Sequence, residues 1–306
     1  MEALFWTLVL LSQVLGLAGV ILIATWLSEH GGGYDWECRS GIGGYHYLLM
    51  TIGMAFLYAE GILSFRVCHR LRLPYVGEKA VHATIQSIVI ILIGIGIHAA
   101  FVCKDSRPTE LAGKDMYSLH SWLGMGTIVL FFGQWIYGIV MTVALRRLDR
   151  SWQDRLLPNH AFFGLLVFAL SIGSCVTGAN EMAIYFVESY NQIVPAGHLA
   201  NAYGICLVVF AAIVSFVAYR PDFQIPESRR HPEGATAVPT SEHAAVAAYS
   251  ISGSSKVTAE KFDHHDLHQH DRLSHDVGAE LPHTTYGATE QTSFKELREK
   301  DANDEV

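Results

Sequence analysis

Residues 117–140 read YSLHSWLGMGTIVLFFGQWIYGIV, a long apolar run with a histidine, His120, near its start. An α-helix rises about 1.5 Å per residue, so this run is long enough to cross the roughly 30 Å hydrocarbon core of a bilayer. Similar runs recur along the chain. They predict six transmembrane helices, over residues of approximately 3–27, 45–65, 81–103, 118–145, 159–186 and 198–219.

Composition divides the 306-residue chain into two parts. Residues 1–225 are strongly apolar and predict an all-α integral membrane domain in the lipid bilayer. Residues 226–306 are polar and show no sustained apolar period, so they predict a disordered cytosolic tail. The first apolar run lacks the basic start of a signal peptide and exceeds its usual length, so we expect a retained helix. No nucleic-acid partner is expected.

The basic residues of the short connections predict the orientation, since cytosolic loops of membrane proteins carry an excess of Lys and Arg. The connections after spans 2, 4 and 6 are the basic ones, so both termini are predicted to be cytosolic. Their basic residues are Arg66, Arg70, Arg72, Lys79, Arg146, Arg147, Arg150, Arg155, Arg220, Arg229 and Arg230.

Four histidines stand near the starts of four consecutive spans: His46, His82, His120 and His160. Ionisable side chains are costly in a bilayer and are therefore candidates for function. Because consecutive spans run in opposite directions, His46 and His120 should lie near the outer face, and His82 and His160 near the cytosolic face. Two imidazoles are too few for a structural zinc site but suffice for a haem, whose macrocycle supplies four further ligands. The pattern predicts two bis-histidine sites stacked across the membrane.

Other polar residues compete with these histidines or lie near them. His98 follows His82 by 16 residues, a rotation of roughly 160° around the helix, so we expect it to point away from the bundle. Gln134 and Glu181 lie near the histidine faces of spans 4 and 5, each at the opposite end from the histidine. Either side chain could approach the histidines at the opposite face of the membrane. Equally, Gln134 could bond between helices and Glu181 could lie at the interface.

The five cysteines show no CxxC spacing, and no CxxCH motif is present to attach a haem covalently. Any haem is therefore expected to be bound without thioether links. Cys38 and Cys103 both fall near the predicted outer face. A disulfide between them is one alternative, but free thiols are favoured.

The predicted tail is rich in histidine and acidic residues. Such a segment can bind zinc or copper weakly, although an acidic, solvated linker is the favoured interpretation. The residues concerned are His264, His265, His268, His270 and His275, interspersed with Asp263, Asp266, Asp271 and Asp276.

Five local strings give the chain a resemblance to the cytochrome b561 family of transmembrane ascorbate-dependent reductases. They are EGILSFR at 60–66, KAVH at 79–82, YSLHSW at 117–122, PNHAFFG at 158–164 and LAN at 199–201. Their order and spacing agree with the family over residues 5 to about 220. The resemblance implies six helices, of which helices 2 to 5 form a four-helix core around two b-type haems.

The resemblance also implies roles for individual residues. The two cytosolic-side histidines would ligate one haem b, and the two outer histidines the other. Arg66 and Lys79 match basic positions at the cytosolic haem edge and ascorbate site, and Gln86 stands where the family has a histidine. Positions around the outer haem or its substrate pocket are matched by Asp115, Met116, Tyr117, Ser118, Glu181 and Asn201.

The predicted function is electron transfer from cytosolic ascorbate through the two haems to an outer acceptor, monodehydroascorbate or a ferric chelate. Ascorbate is an anion at neutral pH, so basic residues beside His82 suit a donor site. The alternative is a non-haem metal or proton transporter in which the membrane histidines act as relay groups. Vesicle, lysosomal and plasma membranes share the predicted topology, and a homodimer through the outer helices 1 and 6 is left open.

Overall fold

The computed structural model describes residues 1–37, 43–105, 116–143, 150–187 and 190–224, and the predicted tail, 226–306, lies outside them. Six helices in the described part are long and apolar enough to cross a membrane, so the prediction of an all-α membrane protein with six spans is confirmed. They are α1 (Glu2–Glu29), a composite second span of α2 (Gly44–Met50), a π-helical segment (Thr51–Leu57) and α3 (Tyr58–Arg70), then α4 (Tyr75–Asp105), α5 (Leu119–Val143), α6 (Arg150–Phe186) and α7 (Pro195–Tyr219).

Several helices extend beyond the predicted apolar runs. α4 begins at Tyr75, about one and a half turns before the predicted start at residue 81, and α3 continues to Arg70 rather than 65. The helix α6 begins at Arg150 and passes through Pro158, where the prediction placed a boundary. The predictions followed the hydrocarbon core, but a helix can continue into the polar interface, where its backbone hydrogen bonds remain intact.

The second span changes from α-helix to π-helix and back at Thr51–Leu57. A π-helical turn disturbs the regular ladder of backbone hydrogen bonds, and inside a bilayer the freed groups need other partners. The Ser171 hydroxyl of α6 donates a 2.8 Å hydrogen bond to the Met54 carbonyl. The Thr51 hydroxyl lies 2.7 Å from the Tyr203 hydroxyl of α7. Side chains of α6 and α7 thus stabilise the π segment.

The helices pack in antiparallel pairs. The second span packs along α4, and α5 along α6, while α1 and α7 pack along each other. The Trp26 indole of α1 donates a 3.0 Å hydrogen bond to the Ala196 carbonyl at the start of α7. At the other end of α1, the Arg70 guanidinium lies 3.6 Å from the centre of the Phe5 ring. These contacts fix α1 and α7 beside the spans that carry the four predicted ligands.

The cysteines depart from expectation at one position. Cys103, at the end of α4, is disulfide-bonded, so the favoured prediction of a free thiol there is wrong. Cys68, Cys175 and Cys206 are free, and Cys38 lies outside the described residues. Disulfides persist in oxidising compartments, and whether two cysteines come within bonding distance is decided by the folded chain, not by sequence spacing.

Candidate haem site

Two pairs of histidines face each other across the bundle. His46 of α2 and His120 of α5 have ring centres 6.0 Å apart, with the ring planes at 81°. His82 of α4 and His160 of α6 have ring centres 6.3 Å apart, with the planes at 78°. We name them the outer pair and the inner pair, after the predicted orientation. The structure therefore brings together the four predicted histidines, two at each level.

Three of the four imidazoles are oriented by backbone carbonyl oxygens, which lie 2.7 to 3.0 Å from Nδ1. A carbonyl oxygen can only accept, so in these contacts Nδ1 carries the proton and Nε2 keeps a lone pair for a metal. Metal-ligating histidines commonly make such a second hydrogen bond. His46 donates to the Gly96 carbonyl, His82 to the Gly61 carbonyl and His120 to the Ser174 carbonyl.

The fourth imidazole, that of His160, is held differently. Its Nδ1 is buried and has no hydrogen-bond partner within the described part of the chain. The Tyr137 ring of α5 stacks on it, with ring centres 5.8 Å apart and planes at 15°. The Tyr137 hydroxyl in turn donates a 3.2 Å hydrogen bond to the Leu156 carbonyl. Stacking, rather than a carbonyl contact, therefore sets the plane of this ring.

The spacing within each pair fits a metal bound between two rings. With metal–nitrogen bonds of about 2 Å, two opposed imidazoles would have ring centres roughly 6 Å apart, as both pairs do. Among the residues that the structure describes, no group of three His, Cys, Asp or Glu side chains could hold a metal ion. Two imidazoles per site, with four ligands from a macrocycle, are the donor set of a bis-histidine haem.

Glycines lie opposite the histidines of α5 and α6. A Cβ at Gly178 would be 2.8 Å from His120 Cε1, and one at Gly138 would be 3.4 Å from His160 Cε1. Gly138 follows His120 by 18 residues, and Gly178 follows His160 by 18, which is about five helical turns. Each helix therefore carries a histidine and a glycine on the same face. This repeated spacing is present in the sequence, although it was not among the predicted features.

The two pairs lie at opposite ends of the bundle. On α4, His82 of the inner pair is 14 residues from Gly96, whose carbonyl faces the outer pair. On α5, His120 of the outer pair is 18 residues from Gly138, which faces the inner pair. These separations correspond to about 21 to 27 Å along the helix axes. The two sites thus span most of the hydrocarbon thickness.

Two amide side chains lie one turn inside the inner pair. Gln86 follows His82 by four residues, and Gln134 precedes Gly138 by four. Gln134 therefore lies near the inner pair, although the histidine of its own helix, His120, belongs to the outer pair. Both Oε1 atoms are buried without a hydrogen-bond partner in the described ranges. The Gln86 amide also occupies the space that a Cβ on Gly61 would take. A side chain at Gly61, the residue whose carbonyl orients His82, would therefore require the Gln86 amide to move.

The residues predicted around the outer haem are partly described. Asp115 lies outside the described residues. The Ser118 hydroxyl accepts a 3.1 Å hydrogen bond from a backbone N–H of α5, and so caps this helix. The Met116 carbonyl accepts a 2.7 Å hydrogen bond from the Trp122 indole. Tyr117 is largely exposed. Ser118 and Met116 therefore stabilise the start of the helix that carries His120.

A cavity of about 280 Å³ opens between the end of α6 and the start of α7. Asn201 lies in its wall, where its Oδ1 accepts a 2.8 Å hydrogen bond from the Tyr190 hydroxyl. Glu181 is half-buried on α6, three residues beyond Gly178 and hence close in height to the outer pair. The residues lining the cavity are Tyr190, Ile193, Val194, Gly197, His198 and Asn201.

Arg66 and Lys79, the two predicted donor-site residues, have different surroundings. Arg66 donates a hydrogen bond to a backbone carbonyl of α7. The Lys79 ammonium lies 4.6 Å from the centre of the Tyr75 ring. The Phe65 ring lies between Tyr75 and His82, with ring centres 6.4 and 5.1 Å away. A row of aromatic contacts therefore connects Lys79 to the inner pair.

Comparisons with known proteins show which family the chain resembles. The family model described as eukaryotic cytochrome b561 matches residues 45–186, which include all four histidines. The mouse transmembrane ascorbate-dependent reductase CYB561 is 32% identical over 216 residues, which cover 70% of this chain and 83% of the mouse protein. This chain belongs to the cytochrome b561 family.

Two further relatives extend the comparison of this cytochrome b561. The human CYB561 is 31% identical over 216 residues, covering 70% of this chain and 83% of the human protein. The bovine lysosomal membrane ascorbate-dependent ferrireductase CYB561A3 is 30% identical over 228 residues, covering 73% and 84%. These relatives are named as reductases, so the predicted class of oxidoreductase is confirmed. The family implies a haem b cofactor and a multi-pass membrane protein.

Proposed function

We propose that this cytochrome b561 transfers electrons from cytosolic ascorbate, through two haem b groups, to an acceptor on the other side of the membrane. The observation that carries the proposal is the presence of two histidine pairs at opposite ends of one bundle. The names of the relatives, an ascorbate-dependent reductase and an ascorbate-dependent ferrireductase, support ascorbate as the donor.

Each histidine pair holds one haem in this proposal: His46 and His120 the outer one, His82 and His160 the inner one. Bis-imidazole haem b supplies one-electron redox chemistry and leaves no open position for oxygen. The protein fixes the imidazole orientations through the backbone carbonyls and the stacked Tyr137 ring. Fixed ligands of this kind reduce the rearrangement that each change of iron charge would require.

Donor binding is assigned to the surface around Lys79. Its positive charge lies at the end of the aromatic row that leads to His82, and a cation attracts the ascorbate anion toward that row. Arg66 adds positive charge on the neighbouring helix, although its bond to α7 holds the guanidinium in place.

Acceptor reduction is assigned to the outer face, where the cavity at Asn201 opens. Its wall offers a histidine, an amide and a phenol, groups that can bind an oxyanion such as monodehydroascorbate or the carboxylates of a ferric chelate. The ferrireductase name of a relative supports a ferric acceptor. The remaining residues proposed for this side are Asp115, Met116, Tyr117, Ser118 and Glu181.

Both termini, and with them the tail at 226–306, are placed in the cytosol. The basic connections after spans 2, 4 and 6 support this orientation. The Cys103 disulfide supports it independently, because it lies at the opposite end of α4 from those connections and disulfides persist in oxidising compartments. A vesicle, lysosomal or plasma membrane accommodates this arrangement.

The proposal is tested by a redox difference spectrum of the purified protein in sealed vesicles, with ascorbate supplied on the cytosolic side. We expect two b-type haems per chain, both reduced by ascorbate. A colourless protein, despite haem supplied during expression, would contradict the proposal and favour a metal or proton transporter. If dithionite but not ascorbate reduced a coloured protein, the haem assignment would stand and ascorbate would be excluded as the donor.

A further inference from the structure

A histidine–carboxylate pair lies outside the two proposed haem sites. His69, near the end of α3, and Glu78, in the first turn of α4, approach with 3.7 Å between Nδ1 and Oε1. The Glu78 side chain is 1% exposed, and neither oxygen has a hydrogen-bond partner among the described residues. The His69 side chain is 19% exposed. The pair therefore joins a buried carboxylate to an imidazole that reaches the surface.

The carboxylate of this pair faces the imidazole and can stabilise a positive charge on it. A buried carboxylate is costly unless a positive charge or hydrogen bonds compensate it. The start of α4 contributes the positive end of a helix dipole. The Cys68 thiol of α3 also interacts with Glu78 and carries no positive charge. A carboxylate facing Nδ1 stabilises the imidazolium that forms when histidine accepts a proton, as in the dyads of hydrolytic enzymes.

The pair lies next to the proposed donor site. Glu78 immediately precedes Lys79 and stands one helical turn before His82 on α4. His69 follows Arg66 by three residues, so both lie on one side of α3. When the ascorbate monoanion loses one electron, its remaining enol proton becomes strongly acidic and must leave. A base at this surface would accept that proton.

We propose that His69 is the general base of ascorbate oxidation and that Glu78 is its positioning residue, an inference that rests on the proposed function. The ascorbate monoanion loses one electron, which a ferric haem held by His82 and His160 would accept. The enol O–H bond breaks, and its proton passes to the His69 imidazole. The product is the monodehydroascorbate radical anion. Glu78 stabilises the imidazolium until the proton passes to cytosolic water.

The test compares Glu78→Gln, His69→Gln and the double variant in purified, haem-loaded protein. The rate of haem reduction is measured with ascorbate and with dithionite, whose electron carries no proton. We expect ascorbate reduction to slow at least about tenfold in each variant, as for loss of a general base, with the dithionite rate unchanged. The double variant should be no slower than the slower single variant, because the two residues act as a unit.

Glu2→Gln is the matched control, because Glu2 forms the 3.4 Å ion pair with Arg70 on the same side of the bundle and is 71% exposed. It should leave both rates unchanged. Infrared difference spectra recorded during reduction by ascorbate provide a readout independent of rate. They should contain an imidazolium signal that His69→Gln removes and Glu2→Gln retains.

Three results would overturn the inference: normal ascorbate rates in Glu78→Gln and His69→Gln, equal slowing with both donors, or additive losses in the double variant. His69→Gln could fail to fold, because it leaves the buried Glu78 carboxylate unpaired. Glu78→Gln removes that charge, so its ascorbate rate alone would then test the inference. Wild-type protein that ascorbate cannot reduce would instead contradict the proposed function.

Discussion

The His120 ring lies directly against the backbone of Gly178, so that a Cβ on this glycine would be 2.8 Å from His120 Cε1. His120 is also a member of the outer pair, with its ring centre 6.0 Å from that of His46. Real Cβ atoms do not approach carbon so closely, and the His120 ring is also tied by its hydrogen bond to the Ser174 carbonyl. The Gly178 backbone and the Ser174 carbonyl therefore restrict the positions that the His120 imidazole can occupy.

Gly178→Ala should displace the His120 ring and cost the protein its outer haem. Gly138→Ala should weaken the inner haem less, since its Cβ would lie 3.4 Å from His160 Cε1. The haem-to-protein ratio and the reduced spectrum measure both effects. Gly126→Ala is the control, because no heavy atom lies within 4 Å of its Cβ position. A Gly178→Ala protein with two haems and an unchanged spectrum would contradict this account.

Replacing one ligand of each pair should remove different haems. His46→Ala should retain the inner haem and lose the outer one, and His82→Ala should do the reverse, because each haem depends on its own two ligands. Haem content and the separate redox midpoints of each variant give the measurement. His98→Ala should keep both haems, since its side chain is exposed. Loss of a haem in this last variant would show that the outer ligands are wrongly assigned.

The hydroxyls of Thr51 and Tyr203 should be energetically coupled. A double-mutant cycle of Thr51→Val and Tyr203→Phe should give a coupling free energy of about 0.6 kcal/mol, the average for hydrogen bonds between membrane helices, and at most about 1.7 kcal/mol. Unfolding in mixed micelles measures it. The Thr177 hydroxyl bonds carbonyls of its own helix, so Thr177→Val paired with Tyr203→Phe should give additive losses. A coupling near zero for Thr51 would exclude a stabilising role for its contact.

Lys79→Gln should raise the ascorbate concentration needed for half-maximal reduction. One unit charge near an anion at a protein surface is worth about 1 kcal/mol, which corresponds to about fivefold. The difference from wild type should shrink at high salt, because counterions screen exposed charges. Arg155→Gln, near the start of α6, should have little effect on the same titration. Equal effects of both substitutions would indicate general attraction by the surface rather than a site at Lys79.

Thiol counting should distinguish the cysteines. Cys68, Cys175 and Cys206 are free and Cys103 is disulfide-bonded, so alkylation of the unfolded, unreduced protein should modify three of the five cysteines. All five should react after reduction. Mass spectrometry of the alkylated chain gives the numbers. Five reactive thiols before reduction would contradict the disulfide and, with it, one argument for the predicted orientation.

Much of the architecture was predictable from the sequence, because a bilayer imposes a simple rule. An apolar run of sufficient length must cross it as a helix, so the six spans and their alternating directions follow from hydropathy alone. Alternation placed His46 with His120 and His82 with His160, and helical rotation placed His98 on the exposed side of α4. These predictions needed no knowledge of which helices are neighbours.

The contacts between helices were decided only by the tertiary structure. Which carbonyl faces an imidazole, which glycine gives His120 its space, and whether Glu78 meets His69 depend on the height and rotation of one helix against another. Those are set by close packing of many side chains, and by a π segment that shifts the register of the second span. The sequence alone thus determined which residues are costly in the membrane and at what depth they lie. The fold determined which atoms each of them faces.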